Sequence, residues 1–417
     1  MSTETGARAE SLVDGYRAVA GDHAIEVLER LAFELRGHRL VMVNSTATGG
    51  GVAEILHRLV RLFEELGLPI AWEVMPGDAR FYAITKSLHN ALHGVRVELT
   101  GSDRDHFMDV SREAAKTLAL DGDLIMIHDP QPAALASLRR KPGQHWVWRC
   151  HIDLSHRTPE AWEFLEPHLL YYDAAICSHP DFASGLPVPG FLSAPSIDPL
   201  SDKNRPLEEA EVDSLLAPFA LPANTPLVTQ VSRFDRLKDP AGVVEAFRLA
   251  RRRTRAHLVL AGGTADDDPE GAAVLAEVRQ QVGNARDVTL LALPPDSHLA
   301  INALQRRSTV VVQKSLREGF ALTVSEALWK ERAVVASAVG GIPLQVLHER
   351  TGLLVRSIEG CALQMLRLLH GPALRRRLGR NGREHVRAHF LHPREGRDYL
   401  ALFLYLLRRV EAVKSGG

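Results

Sequence analysis

The chain has 417 residues, of which 45 % are hydrophobic and 24 % charged, and its formal net charge is -1. This length is enough for two or three domains with real cores, and the composition is that of an ordinary globular protein. No long basic block stands outside the Arg-rich C-terminal helices, so nothing indicates nucleic acid as the main partner.

The cysteines and the N-terminal segment indicate the compartment. Cys150, Cys177 and Cys361 are scattered and form no C-x-x-C pair, which argues against a disulfide framework and a structural zinc site. Residues 1–21 are polar and acidic, so they predict neither a signal peptide nor an anchor. No apolar run is long enough to span a bilayer. We therefore expect a soluble, cytoplasmic protein with no membrane partner.

The chain begins with an amphipathic helix over 22–36 and a strand at 39–44. The turn Ser45–Gly51 follows, with three consecutive glycines, and then a helix that ends at Gly67. A strand, a glycine-rich turn and a helix can together hold a phosphate or a sugar. A flexible turn that merely needs positive φ is the alternative. The pattern departs from the G-x-G-x-x-G dinucleotide fingerprint because the third glycine falls too early.

Polar residues then follow the ends of predicted strands. Helices near 81–93 and 105–119 alternate with strands starting at 68 and at 124–128 and 145–150, which is the rhythm of a parallel sheet.

Ligands of such sheets bind beyond the carboxyl ends of the strands. His128-Asp129 and His151-Ile152-Asp153 occupy those positions, and we expect them at the binding rim. A histidine satisfied in a polar pocket is the alternative for His151. Asp121-Gly122-Asp123 resembles a D-x-D metal motif but precedes its strand, so we interpret it as a turn and predict no metal there.

The proline-rich stretch 185–206 interrupts the rhythm and predicts an interdomain linker. A second alternation of strands and helices follows it, and the sequence beyond residue 363 is helical, with a bend expected at Pro393. We therefore predict an α/β fold with two Rossmann-like domains whose parallel sheets face a shared cleft. The predicted strands are 226–231, 257–263, 288–291 and 309–313, and the predicted helices are 241–252, 270–282 and 296–307.

The stretch Arg317–Lys330 predicts a turn and the start of a helix directly after the strand at 309–313. The free amides of a first helical turn favour an anion, and Gly319 lets the backbone approach it closely. Glu318 and Glu326 flank this turn with seven residues between them. That spacing suits a ligand with an anionic middle and hydroxylated ends. A loop charge and an ordinary helix-surface ion pair are the alternative.

Arg233 and Lys238 follow another predicted strand end and stand five residues apart. A guanidinium offers a planar fork and an ammonium a point charge, so the two can meet a diphosphate that also receives the amides of 319–323. A pair of surface cations on a solvated loop is the alternative.

These motifs carry a family resemblance. Ser232–Asp235 with Lys238, the E-x7-E pair, Val339–Ile342 and the glycine turn resemble the retaining glycosyltransferases of family 4, which have the GT-B fold. The resemblance spans nearly the whole chain. More specific strings resemble the trehalose glycosyltransferring synthases: Asn44–Thr46, Thr85-Lys86 with His89–Leu92, Trp148–Ser155, and Pro195–Ser201 with Lys203-Asn204.

The resemblance implies that the chain is divided into three parts. Residues 1–200 would form an N-terminal acceptor-binding Rossmann-like domain and 201–390 a C-terminal nucleotide-sugar-binding Rossmann-like domain. Residues 391–417 would be a C-terminal helix that crosses back to the N-terminal domain. The implied reaction moves glucose from a nucleoside diphosphate glucose to glucose and forms α,α-trehalose with retained anomeric configuration. It implies no cofactor and no obligatory metal.

The resemblance also implies roles for individual residues. Ala321 departs from the family, because many relatives have glycine there. Its methyl group is expected to crowd the donor or alter its pose. The nucleobase would lie near Leu291–Pro294. The implied catalytic residues are His151, Arg233, Lys238 and Glu318; the implied donor-binding residues are Gly50, Gly51, Gly319, Phe320, Ala321, Leu322, Thr323, Glu326 and Leu291; the implied acceptor-binding residues are Thr46, Lys86 and Asp153.

Two other functions stay open from the sequence. One is a related retaining transferase or trehalose phosphorylase, whose acceptor is another sugar or inorganic phosphate. The other is a non-catalytic sugar-nucleotide sensor, which the joint presence of both cations and both glutamates disfavours. The apolar C-terminal helix favours core packing over a homodimer surface, which is the alternative for that helix.

Overall fold

The fold contains two six-stranded parallel sheets. A computed structural model describes residues 11–48, 51–263 and 269–415. In the first sheet the strand order is β2-β1-β3-β4-β5-β6, and in the second it is β12-β11-β10-β7-β8-β9. The strands are β1 Leu40–Asn44, β2 Ile70–Val74, β3 Leu124–His128, β4 His145–Arg149, β5 Ala174–Cys177, β6 Gly190–Leu192, β7 Leu227–Val231, β8 His257–Gly263, β9 Val288–Leu293, β10 Val310–Gln313, β11 Val334–Ser337 and β12 Leu353–Val355.

Helices cover both sheets, as parallel sheets require. The predicted α/β class with two parallel sheets is confirmed. The helices are α1 Leu12–Ala20, α2 Asp22–Leu35, α3 Gly51–Glu65, α4 Ala79–Leu92, α5 Gly101–Thr117, α6 Leu135–Arg139, α7 Pro159–Leu169, α8 Glu209–Leu216, α9 Pro240–Arg251, α10 Pro269–Val282, α11 His298–Arg307, α12 Leu322–Trp329, α13 Ile342–Gln345, α14 Ile358–His370, α15 Pro372–His389 and α16 His392–Ser415.

Continuous apolar runs produce the central strands. Every residue of β1, β3 and β4 is buried, because helices pack on both faces of the first sheet. Helix α3 ends two residues before Gly67, whose φ of 78° is the left-handed conformation that closes a helix. These elements bring the turn between β1 and α3, the end of β3 and the end of β4 to one edge of the sheet.

Two elements differ from the sequence prediction. Helix α1 lies inside the segment that composition marked only as polar, yet it buries Leu12 and Tyr16. The predicted linker 185–206 contains strand β6, which pairs with β5. The proline-rich composition misled the prediction because β6 is three residues long, lies at the edge of the sheet and is partly exposed. An edge strand tolerates such a sequence, since one side of its backbone needs no partner.

Helix α16 packs against α2 and α3, which belong to the first sheet's layers. Arg149 of β4 and Glu395 of α16 are fully buried, and Tyr399 joins them by bonding Arg149 Nε at 2.9 Å and Glu395 Oε1 at 2.7 Å. Phe390 and Leu391 separate α15 from α16, directly before Pro393. Tyr399, Leu400, Leu402, Phe403 and Leu406 of α16 are therefore part of the core. The division into 1–200, 201–390 and 391–417 stays a prediction.

Within the described ranges, no helix has the length and apolarity needed to cross a lipid bilayer.

Candidate active site

The carboxyl edges of the two sheets meet at a turn whose glycine positions have no room for a Cβ atom. Gly319 lies beyond β10, and a methyl group built on it would overlap the carbonyl oxygen of His151, which lies beyond β4. A methyl group on Gly340, whose φ is 52°, would overlap the carbonyl oxygen of Glu318. The Gly341 amide donates to the Gly319 carbonyl at 3.2 Å. The turn at 318–319 is therefore held between the two sheet edges by glycines.

Lys238 and Glu318 form an ion pair at this turn. Lys238 Nζ lies 2.5 Å from Glu318 Oε2, and the Ser315 hydroxyl donates to the same oxygen at 3.1 Å. The Lys238 backbone is fixed in turn, because Gln230 donates to its carbonyl oxygen at 2.9 Å. The Asp235 carboxylate caps the 3₁₀ turn Arg236–Lys238. Two of the predicted catalytic residues, far apart in sequence, thus meet beyond the neighbouring strands β7 and β10.

Arg233 does not join this pair. Its side chain is 58 % exposed, and its Nη2 lies 3.7 Å from Asp235 Oδ2, a loose contact in solvent. Among the described residues, the exposed guanidinium of Arg233 makes no tighter contact than this one.

The turn 320–323 begins helix α12 and presents its amides. Ala321 is the N-cap with φ 69° and ψ 75°, and no side chain of the described residues caps the helix. Gln345 Nε2 donates to the Phe320 carbonyl oxygen, and the Ser325 hydroxyl holds Gln345 Oε1 at 2.7 Å. The first amides of α12 are therefore uncapped, as anion binding at a helix N-terminus requires. Sequence reasoning missed Gln345, because nothing local marks a buried glutamine that supports a distant turn.

Glu326 and Thr323 lie on α12 itself. Glu326 is 4 % exposed, and Lys203 Nζ lies 3.6 Å from its Oε1. Thr323 is half-buried, and Gln305 Nε2 contacts its hydroxyl at 3.2 Å. Leu322 approaches the other sheet, since a methyl group built on Gly51 would lie 3.0 Å from Leu322 Cδ1. The predicted phosphate-approaching Gly51 is thus beside the turn, whereas Gly50 lies outside the described residues.

A stacked pair of histidines lies where β3 and β4 end. His128 Nδ1 and His151 Nε2 are 3.2 Å apart, and the Asp129 carboxylate accepts the His151 amide at 2.8 Å. Burial, with a contribution from Arg149, lowers the pKa of His128 to about 3. Burial, followed by Arg149 and His128, lowers the pKa of His151 well below its ordinary value. Both rings are neutral at pH 7, so His151 suits hydrogen bonding to a sugar better than charge stabilisation.

Helix α4 brings further polar groups to the same region. Lys86 and His89 are half-buried, and burial lowers the pKa of His89, with His93, Lys86, Arg233 and Lys238 adding to the effect. Cations of α4 and of the loop after β7 thus contribute to lowering the pKa of His89. His93 is 7 % exposed, and its Nδ1 has no hydrogen-bond partner among the described residues.

The remaining predicted residues with a described position are Asp153, Thr46 and Leu291. Asp153 is buried and borders a polar cavity of about 210 Å³ whose walls come from both sheets' edges. Its Oδ1 accepts from the Ser155 amide and hydroxyl, at 3.0 Å and 2.5 Å. Thr46 is exposed and bonds the Thr48 carbonyl oxygen at 2.6 Å. Leu291 is half-buried on the edge strand β9. The structure thus gathers His151, Lys238, Glu318, Gly319 and the start of α12.

Within the described ranges, no three His, Cys, Asp or Glu side chains are grouped as metal ligands. Asp121 of the D-x-D string instead pairs with Lys141 at 2.5 Å on the surface.

Known proteins match this sequence along nearly its whole length. Residues 42–184 match the family model for the N-terminal domain of trehalose synthase, and residues 213–385 match the model for group 1 glycosyl transferases. Trehalose synthase of Rubrobacter xylanophilus is 41% identical over 401 residues, which cover 94% of this chain and 96% of that protein. The chain belongs to the trehalose synthase family of glycosyltransferases. The family predicted from the sequence is confirmed, and the protein is an enzyme of the hexosyltransferase type.

Other members of this comparison are more distant. Trehalose synthase of Pyrococcus horikoshii is 38% identical over 398 residues, covering 93% of this chain and 95% of that protein. A trehalose phosphorylase of Pleurotus pulmonarius is 30% identical over 431 residues, covering 90% of this chain but 58% of that protein. The solved sucrose-phosphate synthase of Thermosynechococcus elongatus superimposes with a TM-score of 0.69 at 22% identity, covering 89% of this chain and 99% of that one. This likeness shows the GT-B fold.

The backbone at Ala321 generates a stability prediction. Ala321 has a φ of 69°, and this left-handed backbone destabilises a residue with a Cβ atom by roughly 1–2 kcal/mol. Replacing Ala321 by glycine removes that strain, but the greater conformational entropy of glycine in the unfolded chain offsets part of the gain. We expect Ala321→Gly to raise the free energy of unfolding, measured in urea, by about 1 kcal/mol. The matched control is Ala276→Gly on the exposed face of α10, which should lower it by about 1 kcal/mol. Equal destabilisation by both variants would contradict the strained backbone.

Proposed function

We propose that the protein transfers glucose from a nucleoside diphosphate glucose to glucose, reversibly, to form α,α-trehalose with retention. The observation that carries this proposal is the Lys238–Glu318 pair beside the uncapped start of α12. A diphosphate leaving group needs cations and amides, and a sugar needs an ionised carboxylate next to them. The trehalose synthase relatives support trehalose as the product.

Charge separation in the transition state explains the residue types. Departure of the diphosphate builds negative charge on the leaving oxygen and positive charge on the sugar ring. Preorganised donors at the place where charge develops are usually the largest catalytic contribution. We assign Lys238, Arg233 and the amides of residues 319–323 to the diphosphate. These groups supply positive charge without a metal, so we propose that a metal is not obligatory.

The sugar side of the site relies on hydrogen bonds. We assign Glu318 to hydroxyls of the donor glucose, since its carboxylate is already oriented by Lys238 and Ser315. Because this carboxylate is already paired with Lys238, we propose that it binds the sugar and is not the nucleophile of a double displacement. Neutral His151 would bond a donor hydroxyl. We therefore propose a front-face route, in which the leaving phosphate takes the proton of the acceptor hydroxyl as the new glycosidic bond forms.

Other substrate groups follow from the same placement. We assign Glu326 to the ribose hydroxyls, Gly50 and Gly51 to the approach of the donor phosphate, and Leu291 to the nucleobase. Lys86, Asp153 and Thr46 are assigned to the acceptor.

The 30% identity to a trehalose phosphorylase favours a second candidate, in which inorganic phosphate receives the glucose of trehalose. Incubation with ADP-, UDP- and GDP-glucose separates the candidates, with glucose, other sugars or no acceptor added. We expect trehalose and free nucleoside diphosphate only when glucose is present. Glucose phosphate formed from trehalose and phosphate would support the phosphorylase. Nucleotide binding without turnover on any acceptor would reduce the protein to a sensor and overturn the proposal.

The charge of Lys238 can be tested against a neighbour on the same turn. We expect Lys238→Met to lower kcat by about 10²–10³, because one donor to the developing charge is lost. The control is Arg236→Met, which removes an exposed cation paired with Glu277 at the other end of the turn and should leave kcat near the native value. Steady-state kinetics with saturating glucose measures both. A loss below about tenfold for Lys238→Met would remove Lys238 from the leaving-group site.

A further inference from the structure

Lys203 lies in the segment that connects the two sheets and pairs with two carboxylates. Its Nζ lies 2.8 Å and 2.9 Å from the two oxygens of Glu54, on the first turn of α3. It lies 3.6 Å from Oε1 of Glu326 on α12. The Lys203 side chain is 15 % exposed, and that of Glu326 is 5 % exposed. One ammonium therefore joins a helix of the first sheet's layer to a helix of the second.

Glu326 depends on this ammonium. Within residues 11–48, 51–263 and 269–415, Lys203 is the cation paired with the Glu326 carboxylate. The nearby Lys330 Nζ bonds the Glu326 carbonyl oxygen instead, at 3.2 Å, together with Asn204 and Gln305. A buried carboxylate without a cation would be strongly destabilised as a charged group. Burial alone would lower the pKa of Lys203, but Glu326 and Glu54 together raise it, so the ammonium stays charged at neutral pH.

We propose that Lys203 is a positioning residue of the donor site, which holds the Glu326 carboxylate and orients it toward the ribose hydroxyls. This inference rests on the proposed role of Glu326. The contact at 3.6 Å engages Oε1. Among the described residues Oε2 has no hydrogen bond, so it can accept hydrogen bonds from a ribose. Lys203 thus acts through Glu326 and does not itself touch the donor.

Lys203 also neutralises the second carboxylate, that of Glu54. Glu54 stands three residues after Gly51, on the helix that begins at the glycine turn. An unpaired carboxylate there would repel a diphosphate, and Lys203 neutralises it at 2.8 Å. The same ammonium thereby links the start of α3, which faces the phosphate in our proposal, to the carboxylate that faces the ribose. Donor phosphate and donor ribose are positioned by one cation.

A structural crosslink is the competing explanation, and the chain offers a matched control for it. Arg58 Nε lies 2.7 Å from Asp198 Oδ2, which joins the same helix α3 to the same connecting segment. Within the described ranges, neither Arg58 nor the Asp198 carboxylate has a direct hydrogen bond or ion pair with the Glu326 carboxylate. If Lys203 only fastens α3 to the segment, Arg58→Met and Lys203→Met should behave alike. If Lys203 orients Glu326, the two variants differ in how the enzyme uses the ribose.

The experiment compares the nucleoside diphosphate glucose that the enzyme uses best with its 2′-deoxyribose analogue. A hydrogen bond to a charged group predicts that the native enzyme loses roughly 10–100-fold in kcat/KM with the analogue. We expect Lys203→Met to reduce this discrimination to less than about fivefold and to raise KM for the donor more than it lowers kcat. Lys203→Arg, which keeps a cation, should restore most of it. Arg58→Met should keep the native discrimination.

Each outcome has a defined meaning. Native discrimination in Lys203→Met, or its loss to the same extent in Arg58→Met, would overturn the inference. Should Lys203→Met fail to fold, Lys203→Gln replaces it in the same comparison. Glu326→Gln tests the underlying role separately, because it should abolish the discrimination whatever Lys203 does. Native discrimination in Glu326→Gln would refute the ribose role of Glu326 in the proposed function.

Discussion

The site depends on one steric constraint, the close approach of three backbone segments at Gly319 and Gly340. Gly319 lies against the carbonyl oxygen of His151, and Gly340 lies against that of Glu318, where neither position has room for a Cβ atom. The segments come from the ends of β4, β10 and β11, so both sheets contribute. Because the backbone cannot move apart without losing these contacts, Glu318 and the start of α12 are fixed relative to His151. Preorganisation of this kind lets fixed dipoles meet a developing charge.

Two buried ion pairs lie around that turn. Each glutamate of the E-x7-E pair has its own lysine, Lys238 for Glu318 and Lys203 for Glu326. The lysines come from different segments, one following β7 and the other connecting the two sheets. Buried ion pairs contribute little to stability, because desolvation of both charges offsets their attraction. We explain the two pairs by the role proposed for each carboxylate, which is to accept hydrogen bonds from the hydroxyls of a sugar nucleotide.

The sequence predicted the elements whose signal is local. The apolar runs of β1, β3, β7 and β10 are each fully buried strands, and Lys238 and Glu318 were expected beyond strand ends. Their direct contact follows only from β7 and β10 being neighbours in the sheet. Strand β6 was missed because it is short, exposed and surrounded by prolines.

The supporting residues could not be found in this way. Lys203 and Glu326 are distant in sequence, and no periodicity relates them. Gln345 supports the Phe320 carbonyl from a four-residue helix that carries no pattern of its own. Such contacts are decided by how complete elements pack, which sequence spacing does not encode. Ala321 illustrates a related limit, because its left-handed backbone contradicts local propensity and is imposed by the turn around it.

The central claim is that this turn receives the diphosphate of a sugar nucleotide. A crystal structure of the protein with a bound nucleoside diphosphate glucose tests it most directly. We expect diphosphate oxygens at about 3 Å from Lys238 Nζ and from the amides at the start of α12, with the glucose beside Glu318. A diphosphate bound elsewhere, with Lys238 and Glu318 still paired only to each other, would contradict the account.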